Sequence, residues 1–164
     1  MIEDTFAFII HPIQIKKDVS RKFPLLGKIL TEGQINYFSR FFPPVYLSEI
    51  TGIRSVATGR EIKGWFIACP FTPPTMMSLP VEVVYNKIVA CGHKAESLGA
   101  RMLGLGAFTS VVGDGGMTIA QRLEMPVTNG DSYTVVIAVD AIREAARVMD
   151  KDIADATVAV VGAT

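Results

Sequence analysis

Short unbroken apolar runs alternate along this chain with longer stretches in which apolar residues recur every three or four positions. The runs read as buried strands and the periodic stretches as amphipathic helices. Phe6-Ala7-Phe8-Ile9-Ile10, stopped by His11-Pro12, predicts a buried strand over residues 5–10. A helix is expected over residues 13–22. Two β-prone runs, residues 49–57 and 61–68, flank Thr58-Gly59 and predict a hairpin turning at residues 57–60.

A proline-rich loop over residues 69–74 precedes Pro80, which suits the first turn of a helix. Val81, Val84, Tyr85, Ile88, Cys91, Ala95 and Leu98 then form one apolar face, giving a helix that ends near Gly99. Residues 102–107 predict the next strand, and Gly113-Asp114-Gly115-Gly116 leads into a short helix over residues 117–123. Turn residues 126–132 supply Asp131 or Ser132 as an N-cap. The helix of residues 131–149 carries the stripe Val135, Ala138, Val139, Ile142, Ala145, Ala146 and Met149 and runs roughly 28 Å at about 1.5 Å per residue. Ala156-Thr157-Val158-Ala159-Val160-Val161 reads as a last strand, followed by Gly162-Ala163-Thr164.

Strands alternating with helices define an α/β fold, a mostly parallel sheet flanked by helices with one β-hairpin. The last strand and its glycine read as the opening of a Rossmann dinucleotide turn, with Gly162, Ala163 and Thr164 as cofactor-binding positions. The second glycine and the helix of such a turn do not follow, so an incomplete Rossmann domain is expected. This divides the chain into a substrate-binding domain at residues 1–125, a linker and interdomain helix at 126–155, and the truncated Rossmann start at 156–164.

With 164 residues, one main domain fits, and 49% hydrophobic residues leave apolar surface to meet missing chain, a partner or a greasy ligand. Sixteen basic and sixteen acidic residues cancel, so no global field favours nucleic acid or membrane. The start, Met1-Ile2-Glu3-Asp4, is acidic where a signal peptide is basic, and no apolar run is long enough to span a bilayer. A cytoplasmic protein is the expectation. Cys69 and Cys91 read as structural, and with His11 and His93 isolated no metal site is expected.

In open α/β sheets, ligands bind beyond the strand carboxyl ends. Two segments place hydroxyls and an amide there, giving Thr109, Ser110, Asn129, Ser132 and Thr134 as candidate substrate contacts; capping and turn formation are the alternative role. No nucleophile with an adjacent base is visible, so no catalytic residue is assigned. Lys16, Lys17, Arg21 and Lys22 form either a solvated helix face or a dock for an acidic partner. Phe38, Phe41, Phe42, Pro43, Pro44 and Tyr46 form either core or the wall of an acyl channel.

The segments LGAFTSVVGDGG (residues 105–116), VTNGDSYTVVIAVDAIREAA (127–146), ATGREIKGWFIAC (57–69) and the terminal ATVAVVGAT resemble the long-chain acyl-[acyl-carrier-protein] reductases and their shikimate-dehydrogenase-like bacterial relatives. The resemblance covers residues 49–164. It implies a parent oxidoreductase that reduces a fatty acyl thioester to an aldehyde with NADPH, through a cysteine thioester whose cysteine has no counterpart here. Acyl carrier protein or coenzyme A would bring the acyl group, the missing C-terminal Rossmann domain would bring NADPH, and this stretch alone would be inactive. A homo-oligomer stays open. The alternatives are part of a dehydrogenase for a small hydroxy or amino acid, marked by a charged polar pocket, and a non-catalytic module that binds acyl carriers.

Overall fold

The computed structural model describes residues 4–161, in two compact units that divide between Asn129 and Gly130. The first unit is built on a five-stranded sheet. β1 (Thr5–Ile10) lies at its centre, parallel to β3 (Glu61–Ala68) on one edge and to β4 (Leu103–Leu105) on the other. Outside β3 runs the antiparallel β2 (Val45–Arg54), and outside β4 the parallel two-residue β5 (Val127–Thr128). The expected α/β class, mostly parallel with one hairpin, is borne out.

Alternate residues of a strand point to opposite faces, so Ala7 and Ile9 of β1 share a face with Ile67 of β3. All three are fully buried. They meet α5 (Val81–Ser97), whose Val84, Tyr85, Ile88, Cys91 and Ala95 are the buried part of the expected stripe. Ile119 and Leu123, on and just after α6 (Met117–Arg122), extend the same core. The opposite face carries Phe6, Phe8 and Phe66 and is only half covered. There the Phe6 ring packs where a Gly64 side chain would stand, and the Phe8 ring does the same at Gly104.

Between β1 and β2 the chain forms three short helices, α1 (Ile15–Lys22), α2 (Pro24–Ile29) and α3 (Glu32–Phe38). Pro24 opens α2, and Thr31 caps α3 in a reciprocal capping box with Gln34. A further short helix, α4 (Pro73–Ser78), begins on two prolines behind Thr72, whose hydroxyl accepts from Thr75 N. The aromatic and proline-rich segments had hidden α2, α3 and α4 from the apolar pattern.

The second unit consists of α7 (Asp131–Val148), a 3-10 turn at Ile153–Asp155 and the residues after it. Arg143 pairs with Asp140, and Arg147 with Glu144, one turn apart on its wet side. No residue of α7 is buried. Its N-cap is Gly130 at φ 83°, with no side-chain cap bond, instead of the expected Asp131 or Ser132. Glycine adopts this left-handed turn without a Cβ clash, which starts the helix at Asp131 and leaves both polar residues inside the first turn. Residues 156–161, expected as a strand, carry no ladder pairing. Gly162, Ala163 and Thr164, the expected cofactor positions, lie outside the described residues.

One close approach fixes the β1–β4 junction. A Cβ on Gly106 would stand 2.5 Å from the Ile9 carbonyl oxygen, which belongs to the central strand and also accepts from Gly106 N. Gly106→Ala is therefore expected to cost about 1–3 kcal/mol in urea unfolding, the range for forced overpacking. Gly33→Ala in α3, with nothing within 4 Å, is expected to leave stability unchanged or raise it by up to about 1 kcal/mol.

Candidate functional site

From β1 the chain leaves to reach β3 on one side, and from β3 it crosses through α5 to β4 on the other. The carboxyl end of β1 is thus the point where neighbouring connections diverge, the usual ligand position in an open α/β sheet. His11-Pro12 follows β1 there, and Ala107-Phe108 follows β4. His11 Nε2 accepts from the Phe108 backbone N–H at 3.0 Å. That bond puts the proton of the neutral ring on Nδ1, which faces the Pro12 carbonyl at 3.2 Å. Ala107 holds φ 51°, a left-handed conformation uncommon outside glycine.

Beside this junction lies a cavity of about 740 Å³, within the size range of about 300–1,000 Å³ typical of small-molecule sites. Ile10 and Ala68 form its floor at the carboxyl ends of β1 and β3. Ile15, Val19, Leu26 and Ile35 come from α1 to α3, while Phe42, Pro43, Val45 and Leu47 close the far side. Ile15 and Ile35 are fully buried. Of the aromatic stretch in which core and channel were both open, Phe42 and Pro43 line this cavity. Tyr37, Phe38 and Phe41 instead stack edge to face on an exposed surface.

Of the polar residues that line the cavity, Gln14, Lys17, Arg21 and Lys22 are exposed, His11 and Asp18 are half-buried, and Ser39 is buried. Asp18 Oδ2 accepts from the N–H groups of Ile13 and Gln14 at 3.0 and 3.1 Å, fixing the entry to α1. Lys22 Nζ donates to the Leu47 carbonyl and ties α1 to β2. Lys87 on α5 donates to the carbonyls of Arg40 and Phe42, at 3.1 and 2.8 Å, and anchors the loop that carries Ser39, Phe42 and Pro43.

The hydroxyls and amide singled out from sequence are engaged locally. Thr109 is buried and donates to the Gly106 carbonyl, and Ser110 donates to that of Ala107, both within the 3-10 turn at Ala107–Ser110. Asn129 Nδ2 donates to the Gly115 carbonyl, which brings the end of β5 onto the glycine loop beside Ser110. Thr134 donates back to the Gly130 carbonyl in the first turn of α7, and Ser132 is exposed in that turn. The cavity walls come from other residues. Its signal in the sequence was the His-Pro pair directly after the first strand, whose partners are spread from residue 13 to residue 70.

Cys69 and Cys91, read apart in sequence, meet in the core, both fully buried. The Cys91 thiol donates to Cys69; this holds the Cys69 thiol below its ordinary value and pushes Cys91 above, with burial adding to the rise. In the glycine loop, Asp114 Oδ2 accepts from the Thr118 hydroxyl and N–H. The Thr118 hydroxyl is the main cause that lowers the Asp114 carboxyl below the usual aspartate range. The loop thus acts as the cap of α6. Among the described residues no helix is long and apolar enough to cross a membrane.

The mostly parallel α/β sheet thus carries a largely apolar cavity beside its point of strand divergence, where open sheets of this class commonly bind ligands. No family model matches the chain. The long-chain acyl-[acyl-carrier-protein] reductase of Synechococcus elongatus is 31% identical over 168 residues, taking in 97% of this chain and 48% of that protein. Aminotransferase PigE of a Serratia species is 28% identical over 164 residues, 96% of this chain and 19% of that protein. The chain therefore spans about half the length of the first relative and about a fifth of the second. The relation to the N-terminal part of the acyl-[acyl-carrier-protein] reductase, which the motifs pointed to, is borne out.

The His11–Phe108 bond joins the ends of β1 and β4 in a half-buried setting. His11→Ala removes the acceptor and leaves the Phe108 N–H without it, with an expected loss of about 1–3 kcal/mol in thermal or urea unfolding. Hydrogen exchange at the Phe108 amide should quicken in this variant before exchange in the α5 core does.

Proposed function

We propose that the chain is the acyl-binding part of an NADPH-dependent fatty acyl-thioester reductase that forms aldehydes. The observation that carries this reading is the cavity: its walls are mainly apolar side chains from β1, β2, β3 and the α1–α3 segment, and its cationic side chains, Lys17, Arg21 and Lys22, are exposed to solvent. An acyl chain needs dispersion contact and exclusion of water, which such walls supply. A small hydroxy or amino acid needs convergent charged partners inside the pocket, and the apolar lining speaks against that alternative.

In this reading the acyl group arrives as a thioester of acyl carrier protein or coenzyme A, and its chain lies against Leu26, Ile35 and Phe42. Ser110 and Asn129, at the ends of β4 and β5, serve the polar head of the ligand, Thr109 completes the turn after β4, and Ser132 and Thr134 lie in the first turn of α7. Hydride chemistry belongs to a dinucleotide domain whose expected start is residues 156–164, with Gly162, Ala163 and Thr164 as its first cofactor positions, and the cysteine nucleophile of the resemblance has no counterpart in this stretch. The present residues then bind and orient the acyl group without reacting themselves.

A fluorescent fatty acid tests the cavity directly. Titration of the full chain with cis-parinarate is expected to give saturable binding with enhanced emission. Leu26→Trp should fill the space of about three methylenes, each worth about 0.8 kcal/mol, and weaken binding roughly 60-fold, with the melting temperature as a check on folding. Absence of parinarate binding, or equal affinity in a folded Leu26→Trp variant, overturns the acyl reading.

A further inference from the structure

We propose that the cavity mouth is a docking face for an anionic lipid surface, through which an apolar product leaves into the bilayer. Ile13 and Phe23 line the cavity and also face solvent, Ile13 at 84% exposure. Lys17, Arg21 and Lys22 line the same mouth. On α2, which packs against α1, Leu25 and Ile29 stand out at 72% and 74% exposure, Leu25 next in sequence to cavity-lining Leu26 and Ile29 about one turn beyond it. Bulky aliphatic side chains are therefore set singly among cations around one apolar opening.

The charge is local. The chain as a whole has zero formal net charge, yet residues 13–41 carry Lys16, Lys17, Arg21, Lys22, Lys28 and Arg40 against Asp18 and Glu32. Asp18 is occupied by two backbone N–H groups, and its other oxygen lies 4.0 Å from Arg21. Interleaved cations and protruding aliphatics are how a surface segment seats itself at the headgroup boundary of an anionic membrane. An acidic carrier protein would answer the cations alone and leave Ile13, Leu25 and Ile29 in water. The choice of product rests on the acyl reading of the cavity: reduction of a long acyl thioester yields an aldehyde with little solubility in water, and a mouth seated on lipid releases it without an aqueous step.

Co-sedimentation of the full chain tests the docking face, using vesicles of phosphatidylglycerol and phosphatidylcholine in equal parts beside vesicles of phosphatidylcholine alone. Binding is expected to the anionic vesicles only and to weaken as salt rises. Lys17→Ala with Arg21→Ala should lower partitioning roughly 25-fold, about five-fold for each cation removed. Leu25→Ser with Ile29→Ser, both outside the cavity wall, should also weaken vesicle binding while parinarate binding in solution stays unchanged. Failure to bind anionic vesicles, equal binding to both vesicle types, or anionic binding that these folded variants leave intact overturns the proposal. The same holds if the basic variant loses an acidic acyl carrier protein and no vesicle is bound by either form. Parinarate binding without vesicle binding sinks the docking face and leaves the acyl cavity standing; vesicle binding without parinarate binding does the reverse.

Discussion

The position of β1, hydrogen-bonded on both edges to parallel neighbours, is the constraint on which the first unit depends. A central parallel strand must be covered on both faces, and its neighbours are reached by crossovers that leave in opposite directions. Here α5 buries one face through Ala7 and Ile9. The opening at the carboxyl end is the geometric consequence of the divergence. Gly106 lies against the Ile9 carbonyl and His11 accepts from Phe108, so the strand that creates the opening is also braced where it ends. Cavity residues Ile10 and Ala68 therefore pair with each other at the ends of β1 and β3, within the sheet's ladder, as a binding wall needs.

The remaining wall is held from a distance. Lys87 belongs to α5, on the fully packed face, yet its ammonium bridges the carbonyls of Arg40 and Phe42. A cation near the carbonyl end of a short helix such as α3 favours that helix as well as the loop after it. Lys22 does the same from α1 to β2. Three helices of eight residues or fewer have too few internal bonds to stand alone. Bonds of this kind, together with buried Ile15 and Ile35, turn them into one side of a cavity.

Elements with a long or unmixed pattern were legible in the sequence. The run Phe6 to Ile10 became β1 with the expected bounds, and the stripe from Val84 to Ala95 became the buried face of α5. What periodicity could not convey were α2, α3 and α4, where prolines and aromatics replace the repeat, and β5, two residues long. The N-cap of α7 was assigned to a side chain, whereas a left-handed glycine performs the turn. The cavity was legible only in part: Phe42 and Pro43 of the aromatic stretch line it, as the channel alternative allowed, but no local rule links them to Ile10, Leu26 and Ala68. The polar residues chosen from sequence do stand near strand and helix ends, where hydroxyls also satisfy nearby carbonyls, and the sequence alone leaves both roles open.

The two relatives bear on what such a domain contributes. Their names denote different reactions, a thioester reduction and an amino-group transfer, yet nearly all of this chain aligns with each. The aligned stretch makes up 48% of the reductase and 19% of the aminotransferase, so neither whole reaction transfers to it. Among the described residues the two thiols are sealed in the core, His11 has both ring nitrogens engaged, and the cavity beside β1 is lined mainly by apolar side chains. A group that must react needs exposure and a poised proton; a group that must hold an acyl chain needs neither.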